Sequence, residues 1–186
     1  MLPFTKFQQG LSYQEFIARY ANDAQKQRWR QVHEQVSLTP AQRQLLSGFR
    51  RQMNVACLAG AWCGDCINQC PIFEHFAAVA PVIQTRYLDR DDHADAQQEL
   101  QINGGKRVPV VVFFSADGAE VARYGERTLS KYRQMMLTQG GPMCPTGINA
   151  PGDSLLAHVT QDWLNEFERV QWLLCLSPRL RQLHDD

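Results

Sequence analysis

Five consecutive residues, Trp62-Cys63-Gly64-Asp65-Cys66, set two thiols apart by two residues in the pattern CxxC. That spacing lets one thiolate attack a disulfide while its neighbour resolves the mixed species, so the chemistry it points to is thiol–disulfide exchange. Cys63 is the candidate nucleophile and Cys66 the resolving thiol, with Trp62 flanking the first. Gly64 and Asp65 lie between them as modulating residues. The Asp65 carboxylate disfavours a Cys63 thiolate, whereas a helix N-terminus favours it. Forty-three residues beyond Cys66, Val108-Pro109 heads an apolar run.

A CxxC can also be half of a zinc site, which wants four ligands. No second CxxC or His pair stands at recognisable spacing. Cys70 with His75 could complete a site only by distorting a helix, and an iron–sulfur cluster on Cys63, Cys66 and Cys70 would need Cys57 or a remote ligand as its fourth. No metal or cofactor is expected. The five histidines form no triad, and no Gly-rich phosphate loop or paired-carboxylate signature stands out. The run Asp89-Arg90-Asp91-Asp92 reads as a capped turn into a helix.

Of the six cysteines, four (Cys57, Cys63, Cys66, Cys70) fall within fourteen residues, a spacing unsuited to stapling loops. With no secretory signal, most read as reduced thiols. Cys70 shares a helix face with Cys63 and Cys66 and reads as a small core residue, a redox backup thiol being its other use. Cys57 reads as strand core that can also modulate the pair by proton or thiol coupling, and Cys175 as helix core. Cys144, in Pro142-Met143-Cys144-Pro145, is the candidate for a further accessible thiol.

The elements that must hold these residues follow from patterning. Residues 53–59 (MNVACLA) are apolar on both faces, as a covered central strand is, and Gly60 ends them. Residues 63–79 carry a helical period, with Pro71 expected to kink it. Further strands are expected at 82–88, 110–114 and 120–124, the last two joined as a hairpin by Ser115-Ala116-Asp117-Gly118, and a helix at 128–137. Ahead of the motif, capping signals at Ser12 and Thr39 predict two helices whose stripe from Phe16 to Phe49 packs into the core. After a Gly/Pro-rich stretch at 140–152, residues 154–176 carry a stripe from Leu156 to Leu174 suited to a helix packing back on the body.

The chain has 186 residues, 44% of them hydrophobic, enough for one core with appendages. Nineteen basic residues balance nineteen acidic ones, so charge makes no case for nucleic acid or an anionic membrane as partner. No stretch approaches the roughly 20 apolar residues of a membrane span, and the N-terminus has no apolar signal region. The expectation is a soluble cytosolic protein.

WCxxC at a strand-to-helix turn, Pro71 five residues after its second cysteine, Val108-Pro109 opening a strand, a hairpin, Gly125 after its second arm and a closing helix form an ordered set. In it the chain resembles the thioredoxin superfamily, and more closely thioredoxin-like bacterial proteins with a helical N-terminal extension. The resemblance implies an α/β thioredoxin-like fold, with a mixed sheet of about four strands flanked by helices and extra helices at both ends. It divides a single domain into a helical extension (1–52), a core (53–138) and a loop with a C-terminal helix (139–186). It also implies a cis Pro109 beside Cys63, and a Val108 backbone that pairs with an extended substrate segment. The implied partners are protein or small-molecule disulfides, with a thioredoxin reductase or another dithiol reductant as electron donor. Where the family has a buried aspartate this chain has Cys57, a family lysine aligns near Thr85, and Asp65 replaces a proline, so the family's proton-relay pair is absent. Lys106 and Arg107, just ahead of Val108, either favour an anionic partner or form an ordinary solvated loop. The leading function is reduction of disulfides, at a potential nearer thioredoxin's than that of disulfide-forming oxidants. Isomerisation or reduction of a small-molecule disulfide, and a binding or chaperone module with incidental cysteines, are the alternatives.

Overall fold

The computed structural model describes residues 1–139 and 154–186. Four helices precede the motif where two were expected: α1 (Phe4–Gln9), α2 (Tyr13–Tyr20), α3 (Asp23–Gln35) and α4 (Pro40–Ser47). The two anticipated starts hold, because the Ser12 and Thr39 side chains accept from the N–H groups of Glu15 and Gln42, and their own backbone N–H groups donate to the Glu15 and Gln42 side chains. The unanticipated α3 is capped by Asn22 with Gln25, and its polar sequence buries Trp29 alone, so no apolar stripe announces it. The short α1 has no side-chain cap at all.

All seven residues of β1 (Met53–Ala59) are buried, as a strand covered on both faces requires. The chain continues through α5 (Gly64–Val79), β2 (Ile83–Asp89), α6 (Ala94–Glu99), β3 (Val110–Phe114), β4 (Glu120–Gly125), α7 (Leu129–Gln139), α8 (Leu155–Leu176) and α9 (Pro178–His184). The sheet order is β2-β1-β3-β4, with β1 parallel to β2 and antiparallel to β3, and β3 antiparallel to β4. This is the expected α/β architecture, a mixed four-stranded sheet flanked by helices. At the hairpin, the Gly118 N–H donates to the Ser115 carbonyl and Gly118 takes φ +82°, a region an L side chain resists.

The helix α5 runs unbroken through Pro71, which removes one backbone donor without ending the helix. Its face toward α8 is aromatic: Phe73 meets Trp163 edge-on at 4.7 Å and Phe76 meets Phe167 at 5.2 Å, while Phe113 of β3 meets Phe167 from the sheet at 5.1 Å. Each such pair is worth about 0.5–1.5 kcal/mol beyond the area it buries. The apolar stripe of α8 is buried at Val159, Trp163, Phe167, Val170 and Leu174. Cys175, expected in that core, is only half-buried at its edge, with its Sγ 3.3 Å from Gln171 Oε1. Cys144 and the Gly/Pro-rich stretch lie outside the described residues.

Candidate active site

Past Ala59, the end of β1, the chain turns within four residues: the Cys63 N–H donates to the Gly60 carbonyl at 3.0 Å, and Cys63 becomes the N-cap of α5. Two contacts fix the turn. The Trp62 indole lies over Gly60, where a Cβ would stand 2.8 Å from the ring. From the N-terminal helices, Trp29 Nε1 donates to the Ala61 carbonyl at 2.9 Å. Trp62 itself stays 49% exposed, with the Arg90 guanidinium stacked 4.6 Å from its ring. Arg90 also donates to the Lys106 carbonyl, linking the end of β2 to the loop before β3.

The Cys63 thiol is half-buried and donates to the Val108 carbonyl at 3.6 Å. The Val108–Pro109 peptide is cis. Val108 and Pro109 are buried, and Gly125 allows β4 to close against them, since a Cβ there would be 2.7 Å from the Pro109 carbonyl oxygen. Cys66, one helical turn behind Cys63, is fully buried, and its sulfur accepts from the Gly60 N–H at 3.5 Å.

The two thiols titrate as a pair. The hydrogen bond to Cys66, then burial, then the neighbouring charge push the Cys63 thiol up, while the N–H groups of Cys66 and Asp65 pull the other way. Burial raises Cys66 too, but hydrogen bonds to Cys63, Cys70 and the Gly60 N–H outweigh it and bring Cys66 down. The pair therefore takes a first negative charge readily and resists a second. A single proton between the two sulfurs decides which one carries the charge.

Asp65 acts on the pair through both its charge and its backbone, the carboxylate raising the Cys66 thiol. Its carboxylate points to Arg127, with Nη2 2.8 Å from Oδ2, and what Cys63 feels is the Asp65 backbone N–H. Arg127 also holds Glu126 at 3.0 Å, and Arg107 stands 3.7 Å from the same carboxylate. Lys106 is exposed. The Glu126 carbonyl accepts from Gln69 Nε2 at 3.0 Å, and Gln69 Oε1 accepts from Trp163 Nε1 at 2.9 Å, so a buried chain ties the site to α8.

The predicted residues Trp62, Cys63, Gly64, Asp65, Cys66, Val108 and Pro109 thus converge where the central strands β1 and β3 end and begin, at one end of the sheet. Cys57 does not join them at the surface: it lies in β1, facing Cys70, with the sulfurs 3.7 Å apart. Near it, Thr85 and Tyr87 hydroxyls both donate to Glu74 Oε1, at 2.8 and 2.9 Å, and burial pushes the Glu74 carboxyl up. Arg90, Glu74, Gln69, Glu126 and Arg127 escaped sequence reasoning because their partners lie on other elements. Among the described residues no group of three or more His, Cys, Asp or Glu side chains could hold a metal ion, and no helix is long and apolar enough to cross a membrane.

A family profile described as thioredoxin matches residues 10–139. No curated protein matches in sequence. Among solved structures, a protein of unknown function from Pseudomonas aeruginosa is similar at TM-score 0.69 and 15% identity, covering 91% of this chain and 97% of its own. An HIV epitope scaffold is similar at 0.60 and 16%, covering 90% and 91%. Thioredoxin from Fasciola hepatica is 26% identical over 51% of this chain and 88% of its own, at TM-score 0.36.

Proposed function

We propose that this chain, which belongs to the thioredoxin family, is a thiol–disulfide oxidoreductase that reduces disulfides through Cys63 and Cys66. The observation that carries the reading is the asymmetry of the pair: Cys63 half-exposed at the start of α5 against the Val108 carbonyl, and Cys66 sealed directly behind it. Only the outer sulfur can meet a substrate disulfide, and only the inner one is placed to resolve the product. As the shared proton passes to Cys66, the backbone N–H groups of Asp65 and Cys66 stabilise the thiolate on Cys63. Cys63 attacks one substrate sulfur and expels the other as a thiolate. Cys66 then attacks Cys63 Sγ, releasing the reduced substrate and leaving Cys63 bridged to Cys66. Trp62 offers an exposed flank for the substrate beside the nucleophile, and the Val108 backbone an edge for an extended segment.

The test is a trap. Cys66→Ser should leave substrates covalently joined to Cys63 and releasable by dithiothreitol, while Cys63→Ser should capture none. Wild type that reduces insulin disulfides while Cys66→Ser captures nothing would refute this division of labour. Retention of full disulfide-reducing activity by Cys63→Ser would refute the reading itself.

A further inference from the structure

The exchange reaction uses two of the cysteines, yet two more lie in line behind them. On α5, Cys66 follows Cys63 by three residues and Cys70 follows Cys66 by four, so the three share one face of the helix, and Cys70 Sγ stands 3.7 Å from Cys57 Sγ. Sulfur thus follows sulfur from the half-exposed Cys63 to β1. Cys57, Cys66 and Cys70 are each 1% exposed or less, so no substrate disulfide reaches them directly. A disulfide needs the sulfurs at about 2.05 Å, so Cys57 and Cys70 have to close by under 2 Å.

We propose that Cys57 and Cys70 form a second, buried dithiol that passes its electrons to the Cys63–Cys66 bridge, so that one chain delivers four reducing equivalents rather than two. This rests on the dithiol reading of Cys63 and Cys66. After one turnover leaves those two bridged, Cys70 attacks Cys66 Sγ and expels Cys63, which takes up the Cys70 proton. Cys57 then attacks Cys70 Sγ and expels Cys66, which takes up the Cys57 proton. One disulfide breaks and one forms, Cys57 and Cys70 are oxidised, Cys63 and Cys66 are reduced, and both protons stay within the cluster. The outer pair is thereby restored for a second substrate without an external reductant. Burial raises both inner thiols, so they ionise only as the leaving sulfur accepts their proton and stay inert to solvent oxidants.

The test uses reduced full-length protein titrated with oxidised glutathione, quenched in acid, unfolded in guanidinium chloride, blocked there with N-ethylmaleimide and digested with trypsin. Neither Lys nor Arg lies between Arg51 and Arg86, so one peptide, 52–86, carries all four cysteines and excludes the other two. With excess oxidant this peptide should lose four hydrogens, and cleavage after Trp62 should join the Cys57 fragment to Cys70. In Cys63→Ser, a change at the half-exposed position, the route is cut and Cys57 and Cys70 should both be alkylated. Wild type that bridges Cys63 to Cys66 yet leaves Cys57 and Cys70 as free thiols overturns the relay and spares the proposed function. Absence of the Cys63–Cys66 bridge would instead sink that function. A Cys57–Cys70 bridge that forms equally in Cys63→Ser overturns the route.

Discussion

Replacing Arg127 by Met tests whether the charge between the two thiols is cancelled by a residue 62 positions away. Asp65 and Glu126 side chains are 17% and 9% exposed, and Arg127 contacts both, at 2.8 and 3.0 Å. Such a pair lies between an exposed ion pair worth about 0–1 kcal/mol and a buried one whose breakage costs about 3–5, so a loss of about 2 kcal/mol is expected. For a chain of this length that is a fall in Tm of about 4–8 °C. The Asp65 carboxylate, left unpaired, then acts on the adjacent Cys66 thiol, on which it already has a raising influence. What the variant removes is the opposing field of the Arg127 cation: one unit charge at a separation on the order of 7–8 Å and an effective dielectric of about 40 is worth about 1 kcal/mol, a shift of somewhat under one pKa unit upward for the first ionisation of the pair. The assay is the pH dependence of iodoacetamide alkylation at Cys63, read by mass. Asp65→Asn should move the midpoint the opposite way, since it leaves Arg127 as an unopposed cation, and the double variant should return near wild type. A midpoint unchanged in Arg127→Met, or an upward shift in Asp65→Asn, would refute the electrostatic account.

Gly125→Ala places a Cβ 2.7 Å from the Pro109 carbonyl oxygen and 3.1 Å from Val110 Cα, both backbone atoms that cannot swing aside. A loss of about 2–3 kcal/mol in urea unfolding is expected, together with slower disulfide exchange as the Val108 carbonyl moves from Cys63; a wild-type midpoint would contradict it. Glu74→Gln tests the buried carboxyl. Because burial raises its folded pKa above the ordinary 4.5, wild type loses stability as pH climbs from that value through the raised one, and the uncharged variant does not. Stability of wild type minus variant should therefore be highest near pH 4 and lower at pH 8; a difference independent of pH would show that the carboxyl is not perturbed.

How much of this was legible depended on how local each signal was. The CxxC motif, the strand 53–59 and the 110–124 hairpin rest on neighbours in sequence, and their residues lie where patterning put them. The helix α3 was missed although Asn22-Asp23-Ala24-Gln25 carries the same capping-box form as Ser12 and Thr39, because its body is polar and buries Trp29 alone, whose indole meets the Ala61 carbonyl only in the folded chain. Asp65 was read as a bare negative charge because nothing near it in sequence hints at Arg127, which only the closing of β4 against β3 brings to the start of α5.

The same distinction explains why the inner cysteines read as filler. On α5 alone, Cys70 is a small residue one turn beyond Cys66; on β1 alone, Cys57 is one more buried position in a run where every position is buried. Neither has a redox meaning until the helix packs over the strand and sets the sulfurs 3.7 Å apart. A valine and an alanine would fill those two sites without polar atoms, whereas thiols there bring a desolvation cost whenever they ionise. What thiols add that aliphatic side chains cannot is the capacity to bond to each other. In this fold that capacity lies one helical turn beyond Cys66, on the same face of α5 as the outer pair.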